Sequence, residues 1–125
     1  MNLAIDGTDH EVLNALGRQC VQLLRDGNFE AVAQLFGYAV AFDRPASLAI
    51  AADLQMAITD AGASNLVPHI DPELAVVRFK PEQELLAIVE CRLRTNEGSS
   101  ILVELVVTRS DGRAVVCLEQ ISAVA

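Results

Sequence analysis

The chain has 125 residues, 52% hydrophobic and 21% charged, so it is not disordered and can bury one core without metal or disulfide staples. Its 17 acidic against 9 basic residues leave a net charge of −8, which argues against nucleic acid and anionic membrane surfaces, since phosphate recognition demands a basic footprint. No apolar run reaches the roughly 18 residues of a membrane span, and Met1 to Asp9 carries neither a basic region nor an apolar signal core, so a single cytoplasmic domain over 1–125 is expected.

Thr8-Asp9-His10-Glu11 sets a hydroxyl three residues before a glutamate, which opens a first helix with Thr8 as its cap. Leu13, Leu16, Cys20, Leu23 and Leu24 recur on one face of it, and Asp26-Gly27 ends it. Asn28 caps a second helix whose Phe29, Val32, Ala33 and Phe36 share a side before Gly37. Tyr38 to Phe42 is apolar and rich in aromatic and β-branched residues, so it reads as a short strand. Pro45 fits the first position of a third helix, with Ile50, Leu54, Ala57, Ile58 and Ala61 as its buried stripe and Gly62 as its end. Residues 63–72 contain two prolines and read as a loop. From Leu74 to Lys80, Ala75, Val77 and Phe79 alternate with Val76, Arg78 and Lys80 in a more exposed strand, and Pro81-Glu82-Gln83 turns the chain into the stretch that organises the rest.

That stretch, Leu85 to Ile121, reads as three long antiparallel strands. Asp111-Gly112 supplies the positive-φ residues of a two-residue hairpin turn, which pairs Val107 with Val116, Val106 with Cys117, Leu105 with Leu118, Glu104 with Glu119 and Leu102 with Ile121. The preceding turn, 96–100, is longer; a register with Arg92 opposite Glu104 gives both acids a cation and makes an Arg92, Glu104, Glu119 ladder. One face is then apolar. The other mixes Leu86, Ile88, Leu102, Val106, Val115, Cys117 and Ile121 with Glu90, Arg92, Arg94, Glu104 and Glu119, too apolar for plain solvent surface. Helices first and a meander last make an α+β fold, with helices packed on the concave face of a curved, mostly antiparallel sheet of four or more strands.

Few residues carry chemistry. Cys20, Cys91 and Cys117 are an odd number without metal-ligand spacing and read as buried free thiols, so neither a metal nor a cofactor is expected. Asp43, before Arg44-Pro45, is a weak candidate for a general base if an apolar pocket raises its pKa; a turn or helix-cap aspartate is the plainer reading. His69, between two prolines, and His10 read as solvated. Glu104 and Glu119 are the close carboxylate pair, which Arg92 would keep ionised. No nucleophile elbow and no phosphate-binding glycine loop is present.

The order helix, Asp-Gly-Asn-Phe-Glu-Ala-Val-Ala-Gln-Leu-Phe (26–36), short strand, Asp-Arg-Pro (43–45), helix and long antiparallel strands resembles the nuclear-transport-factor-2-like, cystatin-like superfamily over nearly the whole chain. The resemblance implies helices over the concave face of a curved sheet, a pocket beneath them and an outer face that often dimerises. Isomerase-like members place a base aspartate just before a proline after the first strand. Here Arg44 separates Asp43 from Pro45, and the first helix lacks the tyrosine that such members use. The function expected is therefore a non-catalytic, acidic binding protein, either a homodimer or a dock for a basic protein partner, as in an immunity-type inhibitor. Its interface would be Leu86, Ile88, Glu90, Arg92, Leu102, Glu104, Val106, Cys117 and Glu119. A pocket isomerase, dehydratase or cyclase using Asp43, or a carrier of a small apolar ligand, is the alternative.

Overall fold

The computed structural model describes residues 1–4, 8–80 and 82–124. The elements are β1 (Asn2–Ala4), α1 (His10–Arg25), α2 (Phe29–Phe36), α3 (Ala46–Asp60), β2 (Glu73–Arg78), β3 (Leu85–Arg94), β4 (Ser100–Ser110) and β5 (Arg113–Ala123). The three helices pack on the concave side of a curled antiparallel sheet of order β1-β5-β4-β3-β2, the α+β arrangement that the element order predicts. Alternation along the strands supplies the core. Val89, Cys91, Leu93, Ile101, Val103, Leu105, Val107, Val116 and Leu118 face the helices with no solvent exposure, against Leu13 and Cys20 of α1, Val32 of α2 and Ile50 of α3.

The helix ends follow local chemistry with one difference. Asp9, not Thr8, caps α1: its backbone is extended and its carboxylate accepts the Val12 N–H at 2.9 Å. Thr8 is buried, and its carbonyl accepts from Arg78 Nη1 at 2.6 Å, tying the start of α1 to the end of β2. Asn28 caps α2 as expected, accepting the Ala31 N–H. Pro45 stands one place earlier than expected, as the N-cap of α3. Within α1, Gly17 brings the helix close to the sheet: a Cβ there would lie 3.1 Å from Cys91 Sγ, 3.1 Å from Val89 Cγ1 and 3.4 Å from Leu74 Cδ2.

Tyr38 to Phe42 is not a strand. Tyr38 makes one parallel bridge to Leu118, after which the chain turns, with Phe42 and Asp43 at φ of 48° and 67°. The Arg44 side chain holds this turn, donating to the Ala41 carbonyl at 2.7 Å and the Val40 carbonyl at 2.9 Å. Side-chain bonds that no hydropathy pattern reveals thus override the β-propensity of the run. A strand absent from the expected set, β1, pairs Asn2, Leu3 and Ala4 with Val115, Ala114 and Arg113. Residues 63–72 form a loop, as expected, which Asn96 Oδ1 anchors through the N–H groups of Ser64 and Asn65.

The 110–113 hairpin turns at Asp111 (φ 51°) and Gly112 (φ 75°), and the pairs Val107–Val116, Val106–Cys117 and Leu105–Leu118 stand as expected. Beyond them a β-bulge between Glu104 and Leu105 absorbs Glu119, so Glu104 opposes Gln120 and Leu102 opposes Ser122. One extra residue reverses facing beyond the bulge, and Ile121 joins the core opposite Val103 instead of lying on the outer face. In the other hairpin the register is two residues from the expected one. Arg92 opposes Leu102, and Glu104 opposes Glu90. A shift of two preserves facing, so the inner and outer sets of β3 survive from Ala87 to Arg94. A β-bulge between Leu85 and Ala87 sets Leu85 opposite Thr108 and breaks the alternation at the start of the strand, and the Arg92, Glu104, Glu119 ladder does not form.

Candidate interaction surface

Strands β3, β4 and β5 bring the expected interface residues other than Leu86 onto the outer sheet face. Ile88, Val106 and Cys117 form a cross-strand row, because Val106 pairs with Ile88 on one side and Cys117 on the other. Next along lies the Glu90–Glu104 pair, then Arg92 opposite Leu102. Leu86 departs from the expected set: the β-bulge between Leu85 and Ala87 leaves it without a partner on β4, and it joins the core cluster, its carbonyl accepting the Phe79 N–H at 2.9 Å. Leu86 and Val106 are 7% and 8% exposed; Ile88, Glu90, Leu102, Glu104 and Cys117 are half-buried, and Arg92 and Glu119 are exposed.

Strand β2 adds a row that belongs to the same surface. Its pairing sets Glu73 beside Arg92, Ala75 beside Glu90 and Val77 beside Ile88. Val77 is 42% exposed and Ala75 is also open, so an apolar strip continues to the sheet edge. The alternation of 75, 77 and 79 is visible in the sequence; their adjacency to Ile88 and Glu90 is not, because it depends on a long-range register. Ile70 and Asp71 of the 63–72 loop reach the rim near Glu73, Arg92 and Arg94 and do not cover the strip.

The electrostatics of this face centre on Glu104. Burial first, then Glu90, then Glu119 push its carboxyl above the ordinary carboxylate range. Neither Glu90 nor Glu104 forms an ion pair among the described residues. Burial and Glu119 raise the Cys117 thiol as well, while the amino terminus and a backbone bond from Ala39 act in the opposite sense. The buried Cys91 thiol is pushed up to about 12 by burial alone, and Cys20 rises further from burial and from Cys91. All three cysteines are free. Among the described residues no group of His, Cys, Asp and Glu is placed to hold a metal ion, and no helix is long and apolar enough to cross a membrane.

Asp43 lies apart from this surface, exposed in the turn before α3, and it caps nothing: α3 has no side-chain cap. His10 and His69 are exposed. A hollow of about 330 Å³ lies between α2 and α3, lined by Gly27 to Glu30, Ser47, Leu48 and Ala51, without Asp43 and without any inner-sheet residue. It opens to solvent beside Leu48, which is 66% exposed.

The polar cluster that sequence reasoning misses is Tyr38, Arg44 and Asp53. Tyr38 Oη donates to Asp53 Oδ2 at 2.5 Å, and Arg44 donates to Asp53 Oδ1 at 3.0 Å and Oδ2 at 3.1 Å. Arg44 holds the Asp53 carboxyl below its ordinary range, against burial and with help from Tyr38, whose own hydroxyl is pushed up by burial and by Asp53. These groups satisfy one another and pin the 38–45 turn to α3, which is a structural task. Its one sequence signal is an acid set in the otherwise apolar run of α3. The chain matches no family model, no curated protein and no solved structure.

Proposed function

We propose that this protein is a non-catalytic binding module that docks a basic protein partner through the outer face of its sheet, on an architecture of nuclear-transport-factor-2-like type. The observation that carries the reading is Glu104: half-buried, opposite Glu90, without an ion pair of its own and set among Ile88, Leu102, Val106 and Cys117. A carboxylate in that setting loses hydration without gaining a counter-charge. An incoming Lys or Arg would supply the counter-charge while its neighbours covered the apolar strip, the arrangement of an apolar interface core with a charged anchor. The net charge of −8 would steer such a partner to the surface. An immunity-type inhibitor of a basic toxin is the concrete form this reading takes.

Two features support binding over catalysis. The inner face of the sheet is filled by side chains with no exposure, and Asp43 lies in open solvent away from the 330 Å³ hollow. Crosslinking capture from the native host cell tests the proposal, with wild type compared against Ile88→Asp, Glu104→Arg and Leu48→Asp. The partner held by wild type and by Leu48→Asp should be lost by both outer-face variants. Equal capture by all four proteins would sink the reading.

A further inference from the structure

We propose that β2 is the seam of a homodimer, in which the open edge of the sheet pairs antiparallel with the same edge of a second copy about a twofold axis at Val76. The inference goes beyond the docking reading and does not depend on the identity of a docked partner.

The sheet order leaves β2 paired on one side only, with β3. Antiparallel strands alternate in the direction of their backbone groups. The Phe79 N–H donates to Leu86, so Glu73, Ala75 and Val77, in step with Phe79, bond to β3. Leu74, Val76 and Arg78 therefore direct their N–H and C=O groups to the open side, where no described backbone group bonds to them. A row of backbone donors and acceptors at strand spacing specifies its own ligand, another extended strand.

The two edges of the sheet differ in how they are guarded. At the far edge β1 is three residues long, one of the usual ways of blunting an edge. The middle of the β2 edge is unguarded: between Leu74 and Val77 there is no charge and no proline, the charges standing only at the strand ends, and its register with β3 runs from Glu73 to Arg78 without a bulge. An open strand of that length invites pairing.

Charge sets the direction in which a second copy pairs, and the apolar strip continues across that pairing. The strand is acidic where it begins, at Asp71 and Glu73, and basic where it ends, at Arg78 and Lys80. In-register parallel pairing would set Glu73 beside Glu73 and Arg78 beside Arg78 on the same face, whereas antiparallel pairing carries the like charges to opposite ends of the seam. Glu73 and Arg78 lie on opposite faces, so the gain is relief of repulsion and not an ion pair. A twofold axis at Val76 sets Val76 opposite itself and Leu74 opposite Arg78 of the second copy, and each such pair exchanges two backbone bonds. On the outer face Ala75 then meets Val77 of the second copy, so the apolar strips of the two chains run together across the seam.

Sedimentation velocity and light scattering of the full chain over a dilution series test this. The expected particle is twice 13.4 kDa, dissociating on dilution. Val76→Pro removes an outward N–H and spares the bonds to β3, so it should give a monomer with an unchanged circular dichroism spectrum. Should that variant unfold, Val77→Lys, at an exposed position, sets two cations near the axis and should give a folded monomer. A wild-type monomer throughout, open-ended aggregation in place of a closed dimer, or a dimer that survives Val77→Lys would each overturn the proposal.

Discussion

Glu104 stands directly opposite Glu90 on the outer sheet face, and neither carboxylate forms an ion pair among the described residues. Like charges placed opposite one another across two strands are destabilising, and half-burial removes part of the water that would screen them. Such a pair marks a place where the free protein forgoes stability. That cost is intelligible if a bound state supplies the missing cation.

Glu104→Gln should therefore stabilise the free protein at neutral pH, by about 0.2–1 kcal/mol. The pH dependence follows from the raised pKa of Glu104. Below the ordinary carboxylate value the group is protonated in both folded and unfolded states, and the penalty is absent. As pH rises through the raised folded value, the folded state must ionise Glu104 and stability declines. Urea unfolding of wild type and Glu104→Gln between about pH 4 and 8 checks this; the gap between them should widen toward neutral pH. A constant gap would show that Glu104 is well solvated.

Gly17 gives a packing prediction. Glycine inside a helix costs about 1 kcal/mol relative to alanine, yet a Cβ at this site would press on Cys91 and Val89 at 3.1 Å. Gly17→Ala should be close to neutral, its helix gain offset by the contact. Gly17→Val has no room for its methyl groups and should destabilise by about 1–3 kcal/mol. Thermal unfolding of the two variants decides it: a valine variant as stable as wild type would mean that α1 can lift from the sheet.

Legibility in the sequence tracked the distance over which each feature is decided. Asp111-Gly112 forces its own turn, so the β4–β5 ladder is readable from Ser110–Arg113 out to Leu105–Leu118. The bulge at Glu119 depends on how β5 continues toward the far end of β4, where Val124 N–H bonds to the Ser100 carbonyl, and no local pattern announces it. Pairing Arg92 with Glu104 would give the acid a cation, but the turn bonds from the Thr95 N–H to the Ser99 carbonyl and from the Gly98 N–H to the Thr95 carbonyl set the register, and Arg92 lies opposite Leu102. Tyr38 to Phe42 has strand composition but is held as a turn by Arg44 from outside the run. Of the candidate surface, the outward sets of β3 and β4 were legible from alternation, while its extension across β2 required the fold.

The thiols should separate by burial. Cys20 and Cys91 are fully enclosed, and burial raises both well above the ordinary thiol range, so their reactive thiolates are scarce at neutral pH. Cys117 is half-buried on the outer face. A thiol-reactive chromophore at mildly alkaline pH should label Cys117 slowly in the native protein and all three residues after denaturation, and Cys117→Ser should abolish native labelling. Rapid native labelling of Cys20 or Cys91 would reveal opening of the core between α1 and β3.

The Tyr38, Arg44 and Asp53 cluster gives a prediction opposite in sign to that for Glu104. Asp53 is held below its ordinary range, chiefly by hydrogen bonds from Arg44. Its contribution to stability is therefore complete above the ordinary carboxylate value and is lost as pH falls through the depressed one. Tyr38→Phe removes one hydroxyl bond and should cost about 0.5–1.5 kcal/mol. Asp53→Ala should cost more, because it leaves the Tyr38 hydroxyl and the Arg44 guanidinium without their shared acceptor. The turn should loosen without detaching, since Arg44 still bonds to the Val40 and Ala41 carbonyls. Hydrogen exchange at residues 40–44 should quicken in Asp53→Ala while exchange in β3 and β4 stays slow. If those strands quicken equally, the cluster supports the whole core and not the turn alone.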